Sequence, residues 1–149
     1  MSVAGHKKYL KVSAVVIGSF APLFTLGASG SELLAEPIRL TFDLLSLSYG
    51  EHSFLAPTTR FCSALTGGFL AGFGATVWAL SGAAFDSNPE AIRKAVVTGA
   101  SFWVILDSIG STLAGYPSNV VFNALVYAAV VGPLWWPAPD APSVAEKKQ

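Results

Sequence analysis

Charge is what this sequence has least of. Asp, Glu, Lys and Arg make up 12% of its 149 residues, about half of the roughly 25% usual in a soluble domain. A chain so poor in polar coat is not built to face water on all sides. Nine basic residues balance nine acidic ones, so the positive surplus expected of a nucleic-acid partner is missing. Cysteine is nearly absent too. With Cys62 alone, no internal disulfide and no Cys-x-x-Cys metal site can form. The two histidines, His6 and His52, stand far apart and outside the apolar runs. No metal and no cofactor is therefore expected. Phosphate-binding, nucleophile-elbow and zinc-protease motifs are lacking as well.

What the chain does have is long apolar runs. A membrane-crossing helix needs about 20 mostly apolar residues, with a range of roughly 17–25. Four stretches meet that need: about Val12 to Ala28, Thr59 to Ala84, Asn88 to Gly115, and Ser118 to Trp136. The reading is an all-α fold of four transmembrane helices in an up-down bundle. One domain covers residues 1–136, and the Pro- and Ala-rich 137–149 form a flexible solvated tail. Gly115-Tyr116-Pro117-Ser118 supplies a helix-ending glycine and then a helix-opening proline. A link this short makes the third and fourth helices antiparallel neighbours.

Between the first and second runs, Ser31 to Thr58 interleaves Leu33, Leu34, Ile38, Leu40, Leu44, Leu45 and Leu47 with Glu32, Glu36, Arg39 and Asp43. The helical period is loose. We read an amphipathic segment along the interface or over the bundle mouth, with Pro37 in its first turn. An irregular loop is the competing reading.

Basic residues set the orientation. Lys7, Lys8, Lys11, Arg93, Lys94, Lys147 and Lys148 fall on one side of a four-span chain, and Arg39 and Arg60 on the other. Both termini are then cytoplasmic, in a membrane such as a bacterial inner membrane. The alternative reads the first run, ending Ala28-Ser29-Gly30, as a cleaved secretory signal. Pro22 and the length of the run argue against it.

One residue stands out chemically. Asp107 lies deep in the third run, where an ionised group costs roughly 2.5–3.5 kcal/mol to insert and needs partners inside the bundle. Ser111 is one turn further on. Across the tight turn, Asn119 and Asn123 come to similar depth, and Arg60 at the head of the second run offers a charge. These five residues form the expected polar cluster: a register-fixing contact, or a pocket for a small amphipathic molecule or a proton. No catalytic residue is assigned, because a lone carboxylate has no nucleophile or metal ligand beside it. Gly68 and Gly72 form a Gly-x-x-x-Gly, the expected helix-packing face, against another span or a second copy. Trp135 and Trp136 fit an aromatic belt.

The run Asp107-Ser108-Ile109-Gly110-Ser111, then Ala114-Gly115, Asn119 and Asn123, resembles small bacterial four-helix membrane proteins of unknown function. The likeness covers roughly Pro57 to Pro133. It implies the four-helix architecture and carries no activity. The expected role is non-enzymatic, packing with partners in the lipid bilayer or holding a lipophilic ligand. The alternatives are an oligomeric transporter or channel using Asp107 for a proton or cation, and a membrane enzyme acting on lipid. A homo-oligomer or a larger membrane complex is compatible with each.

Overall fold

The computed structural model describes residues 1–50 and 52–139. Among them every regular element is helical: α1 Val3–Ser19, α2 Ala21–Gly27, α3 Glu32–Ser46, α4 Pro57–Leu80, α5 Ala83–Ser87, α6 Pro89–Leu113, α7 Asn119–Val131 and a 3-10 turn Gly132–Trp135. Three stretches are long and apolar enough to cross a membrane: Val3–Gly27, Pro57–Leu80 and Pro89–Leu113. The fourth apolar stretch, Asn119–Trp135, is shorter. Three spans are thus clear, where the sequence suggested four.

Local chemistry explains most of the boundaries. Ser2 caps α1 by accepting from the Gly5 amide at 3.1 Å, so that helix starts well before Val12 and takes in Lys7, Lys8 and Lys11. Its continuation breaks at Phe20, because Pro22 near the start of α2 has no amide to give back to the preceding turn. Asn88 caps α6 at the Ala91 amide, with Pro89 in the first turn. Pro37 does not sit in a first turn. α3 starts earlier, at Glu32 behind the cap residue Ser31, and carries Pro37 inside it.

α4 lies along α1 and α2 on a seam of Ser63, Gly67, Leu70, Gly74 and Val77, all buried. Steps of four and three residues keep that seam on one face. A Cβ on Gly67 would stand 2.7 Å from Thr25 Oγ1, and one on Gly74 would stand 2.9 Å from the Ala14 carbonyl oxygen. Nothing lies within 4 Å of a Cβ on Gly68 or Gly72. The close approach inside this chain is made by Gly67 and Gly74, while the Gly68–Gly72 pair faces outward. Ser63 adds a 2.7 Å hydrogen bond to the Phe24 carbonyl.

α7 packs between α1 and α6. Its last carbonyls lack helical partners, and α1 supplies them. Tyr9 donates to Ala129 O at 2.8 Å, and Ser13 to Val130 O at 2.7 Å. Within the 3-10 turn Leu134 O accepts from Arg93 at 2.7 Å, and beyond it a ring nitrogen of His6 lies 3.1 Å from Trp136 O and the Ala138 amide donates to Glu90 at 2.9 Å. The expected tail therefore begins docked at Ala138, and residues 140–149 lie outside the described residues.

α3 explains the loose period of its leucines, because it has three faces. Ala35, Ile38 and Phe42 pack toward Phe54, Leu23 and Phe24. Glu36, Arg39 and Asp43 form an ion-paired stripe. Leu33, Leu40, Leu44 and Leu47 line the remaining face and are exposed, as suits a helix lying against lipid. Two separate apolar faces blur a single period.

Candidate functional site

The hairpin of α6 and α7 builds the site. Its tight link holds at Gly115, which takes a left-handed φ of 90° that glycine adopts without strain. Asn119 and Asn123, one turn apart on α7, both turn toward α6. Asn123 Nδ2 donates to Asp107 Oδ2 at 2.6 Å, and Asn119 Nδ2 donates to the same oxygen at 3.1 Å. Their second amide contacts reach Ser108 Oγ at 3.1 Å and Ser111 Oγ at 2.8 Å. Asp107, Ser111, Asn119 and Asn123 are thus together.

Arg60 is not among them. Its guanidinium lies against Gly30, in the link before α3. Among the described residues no ion pair joins it to Asp107. The physical reason is packing. α4 spends its inward face on α1 and α2 and makes no substantial contact with α6, so equal depth in the membrane did not mean proximity.

The separation of α4 from α6 leaves a cavity of about 250 Å³. α4 contributes Thr66, Leu70 and Phe73 to one wall, and α6 contributes Ala100, Trp103 and Asp107 to the other. Phe20 and Phe24, with Phe122, Asn123 and Val126 of α7, line it between them, and Phe42 of α3 borders one end. It is an apolar slot with its polar groups gathered at one end. Asp107, Ser111 and Asn119 border a second cavity as well, shared with Tyr116 and Phe42.

The arrangement accepts hydrogen bonds more than it gives them. Asp107 Oδ2 is occupied twice, but among the described residues no donor reaches Asp107 Oδ1 or the side-chain oxygens of Asn119 and Asn123. These are the groups a guest could engage. Ser108 was missed from sequence because it stands beside Asp107 rather than one turn away. Its signal was the matching depth of Asn123. Tyr116 was read only as a turn residue.

No family profile, curated protein or solved structure matches this chain, so its functional reading rests on this geometry.

Proposed function

We propose that the chain is a four-span integral membrane protein that holds a lipophilic molecule by its hydrogen-bond-donating or cationic head. The observation that carries this reading is the Asp107 oxygen that no donor reaches among the described residues, at the polar end of an otherwise apolar cavity. Asn119 and Asn123 fix the carboxyl in place, so its orientation is set before a guest arrives. At about 250 Å³ the cavity falls below the roughly 300–1,000 Å³ of sites for drug-sized ligands. A single slim acyl or isoprenoid chain fits that size better than a polycyclic body.

Four spans are supported by Asn119–Trp135, whose 17 residues sit at the short end of the spanning range and end in the interfacial pair Trp135-Trp136. The seven-to-two division of basic residues supports cytoplasmic termini, as in an inner membrane.

Native mass spectrometry in mild detergent tests the reading. The wild type should retain a lipid-sized adduct, and Asp107→Asn, whose side-chain oxygen can still accept from Asn119 and Asn123, should lose it while keeping its melting temperature within a few degrees. Equal retention by both proteins would overturn it. Asp107-dependent cation or proton flux in proteoliposomes, without a retained adduct, would instead favour the transporter reading.

A further inference from the structure

A second polar chain crosses the mouth of the bundle. Asp43 on α3 is 1% exposed. Its Oδ1 lies 2.6 Å from His52 Nδ1, and its Oδ2 accepts from the Gly50 amide at 3.1 Å and from Arg39 at 3.3 Å. His52 Nε2 lies 2.8 Å from the Tyr116 hydroxyl. A carboxylate can only accept, so Nδ1 carries the ring hydrogen. In the neutral ring Nε2 is then the acceptor, and the Tyr116 O–H donates to it. The aromatic rings of Phe42, His52 and Tyr116 pack on one another at centroid distances of 5.7–6.2 Å. The three polar side chains are thereby held in line between two cavities. His52 borders an outer, polar one together with Glu32, Glu36 and Arg39. Tyr116 borders a more open groove that it shares with Asp107, Ser111 and Asn119.

We infer that Asp43, His52 and Tyr116 form a proton relay that exchanges a proton between the water outside α3 and the Asp107 carboxyl. Its use, though not its chemistry, rests on the reading of Asp107 as a ligand site. The transfer balances without any other reactant than water in the groove between Tyr116 and Asp107. Protonated Asp107 gives its proton through that water to the Tyr116 oxygen. The Tyr116 O–H bond breaks as its hydrogen passes to His52 Nε2. The products are an Asp107 carboxylate, an intact tyrosine and a His52 imidazolium, whose Nε2–H passes its proton to water of the outer cavity once the ring turns from Tyr116, restoring the neutral ring with Nδ1–H on Asp43. Loading Asp107 is the same sequence reversed.

The charges around His52 suit it to this station. Among the described residues, α3 presents Asp43, Arg39 and Glu36, the α6–α7 link presents Tyr116, and Glu32 stands at the rim of the outer cavity. Glu36 and Asp43 outnumber Arg39 by one, so an imidazolium brings that ion-paired group to neutrality. A proton arriving at Asp107 would remove its charge and weaken its hold on a cationic head, so the relay would release a guest as the outside acidifies.

The test reads Asp107 directly. The full chain in nanodiscs is subjected to a pH jump, and the carboxylic carbonyl band that Asp107→Asn abolishes is followed by time-resolved infrared spectroscopy. Tyr116→Phe removes one oxygen and keeps the ring packing. It should slow the response of that band by about tenfold or more with an unchanged midpoint pH, and His52→Gln should slow it similarly. An unchanged rate in Tyr116→Phe overturns the relay. So does the absence of an Asp107 band at every pH where the protein stays folded. Because the band is read without a guest, failure of the relay and failure of lipid retention are seen separately.

Discussion

Asn123 holds Asp107 from the opposite arm of a helical hairpin, its side-chain amide 2.6 Å from the carboxyl oxygen Oδ2. Sixteen residues of sequence separate the two, and the turn at Gly115 folds that distance into a hydrogen bond. Asn123 is 2% exposed, so the amide has no water to fall back on. Asn123→Val should strand part of the Asp107 and Ser108 hydrogen bonding and cost about 1–2 kcal/mol. Thermal melting in detergent measures it, and a change near zero would mean that Asn119 alone suffices.

The two glycine pairs of α4 should respond in opposite ways. Gly74→Ala places a methyl group 2.9 Å from the Ala14 carbonyl oxygen, which is backbone and cannot swing aside. The expected loss is about 1–3 kcal/mol. Gly72→Ala meets nothing within 4 Å and removes a helix-interior glycine, for a gain of about 0.5–1 kcal/mol. A loss at Gly72 comparable to that at Gly74, together with dissociation of an oligomer, would reveal a second copy packed on the outward face.

Acid should loosen the α3 end. The hydrogen bond from His52, and after it that from the Gly50 amide, hold the Asp43 carboxyl below the ordinary carboxylate range. A lowered folded-state pKa adds stability that is complete above the unfolded value and disappears as pH falls through the folded one. Hydrogen exchange in α3 should therefore accelerate as pH drops below the usual aspartate range of about 4. Asp43→Asn should flatten that dependence while raising exchange at neutral pH.

Arg93 closes the other end of the molecule. It is 7% exposed, pairs with Glu90 at 2.6 Å and donates to Leu134 O at 2.7 Å. Arg93→Leu leaves the buried Leu134 carbonyl without its donor and the partly buried Glu90 carboxylate with only the Ala138 amide and Lys94 beside it. The expected cost is about 2–3 kcal/mol, with proteolysis after Leu134 enhanced as the exit segment comes loose. Unchanged melting would assign the ends of α6 and α7 to packing alone.

Arg60 should act independently of Asp107. Since it lies against Gly30 and not in the hairpin, the effect of Arg60→Leu on melting should be the same in the wild type and in Asp107→Asn. Deviation from additivity beyond about 0.5 kcal/mol would show coupling.

Sequence alone determined the class of this protein and its hairpin. Long uncharged runs can satisfy their backbone only as helices in a bilayer, and the Gly115–Ser118 link leaves α6 and α7 no arrangement but an antiparallel one. Helical spacing and equal distance from that turn were enough to bring Asp107, Ser111, Asn119 and Asn123 together, because neighbours across a short turn have one degree of freedom fewer. Only the tertiary structure decided which face of α4 turns inward, since Gly67–Gly74 and Gly68–Gly72 are both small-residue stripes on one helix. It also decided that Arg60 stays away from Asp107, and that His52, set apart in a loop, lines up with Asp43 and Tyr116. Those contacts depend on how separate helices are arranged around the cavity. The packing of side chains from α1, α2 and α3 fixes that arrangement, and no periodicity within one helix encodes it.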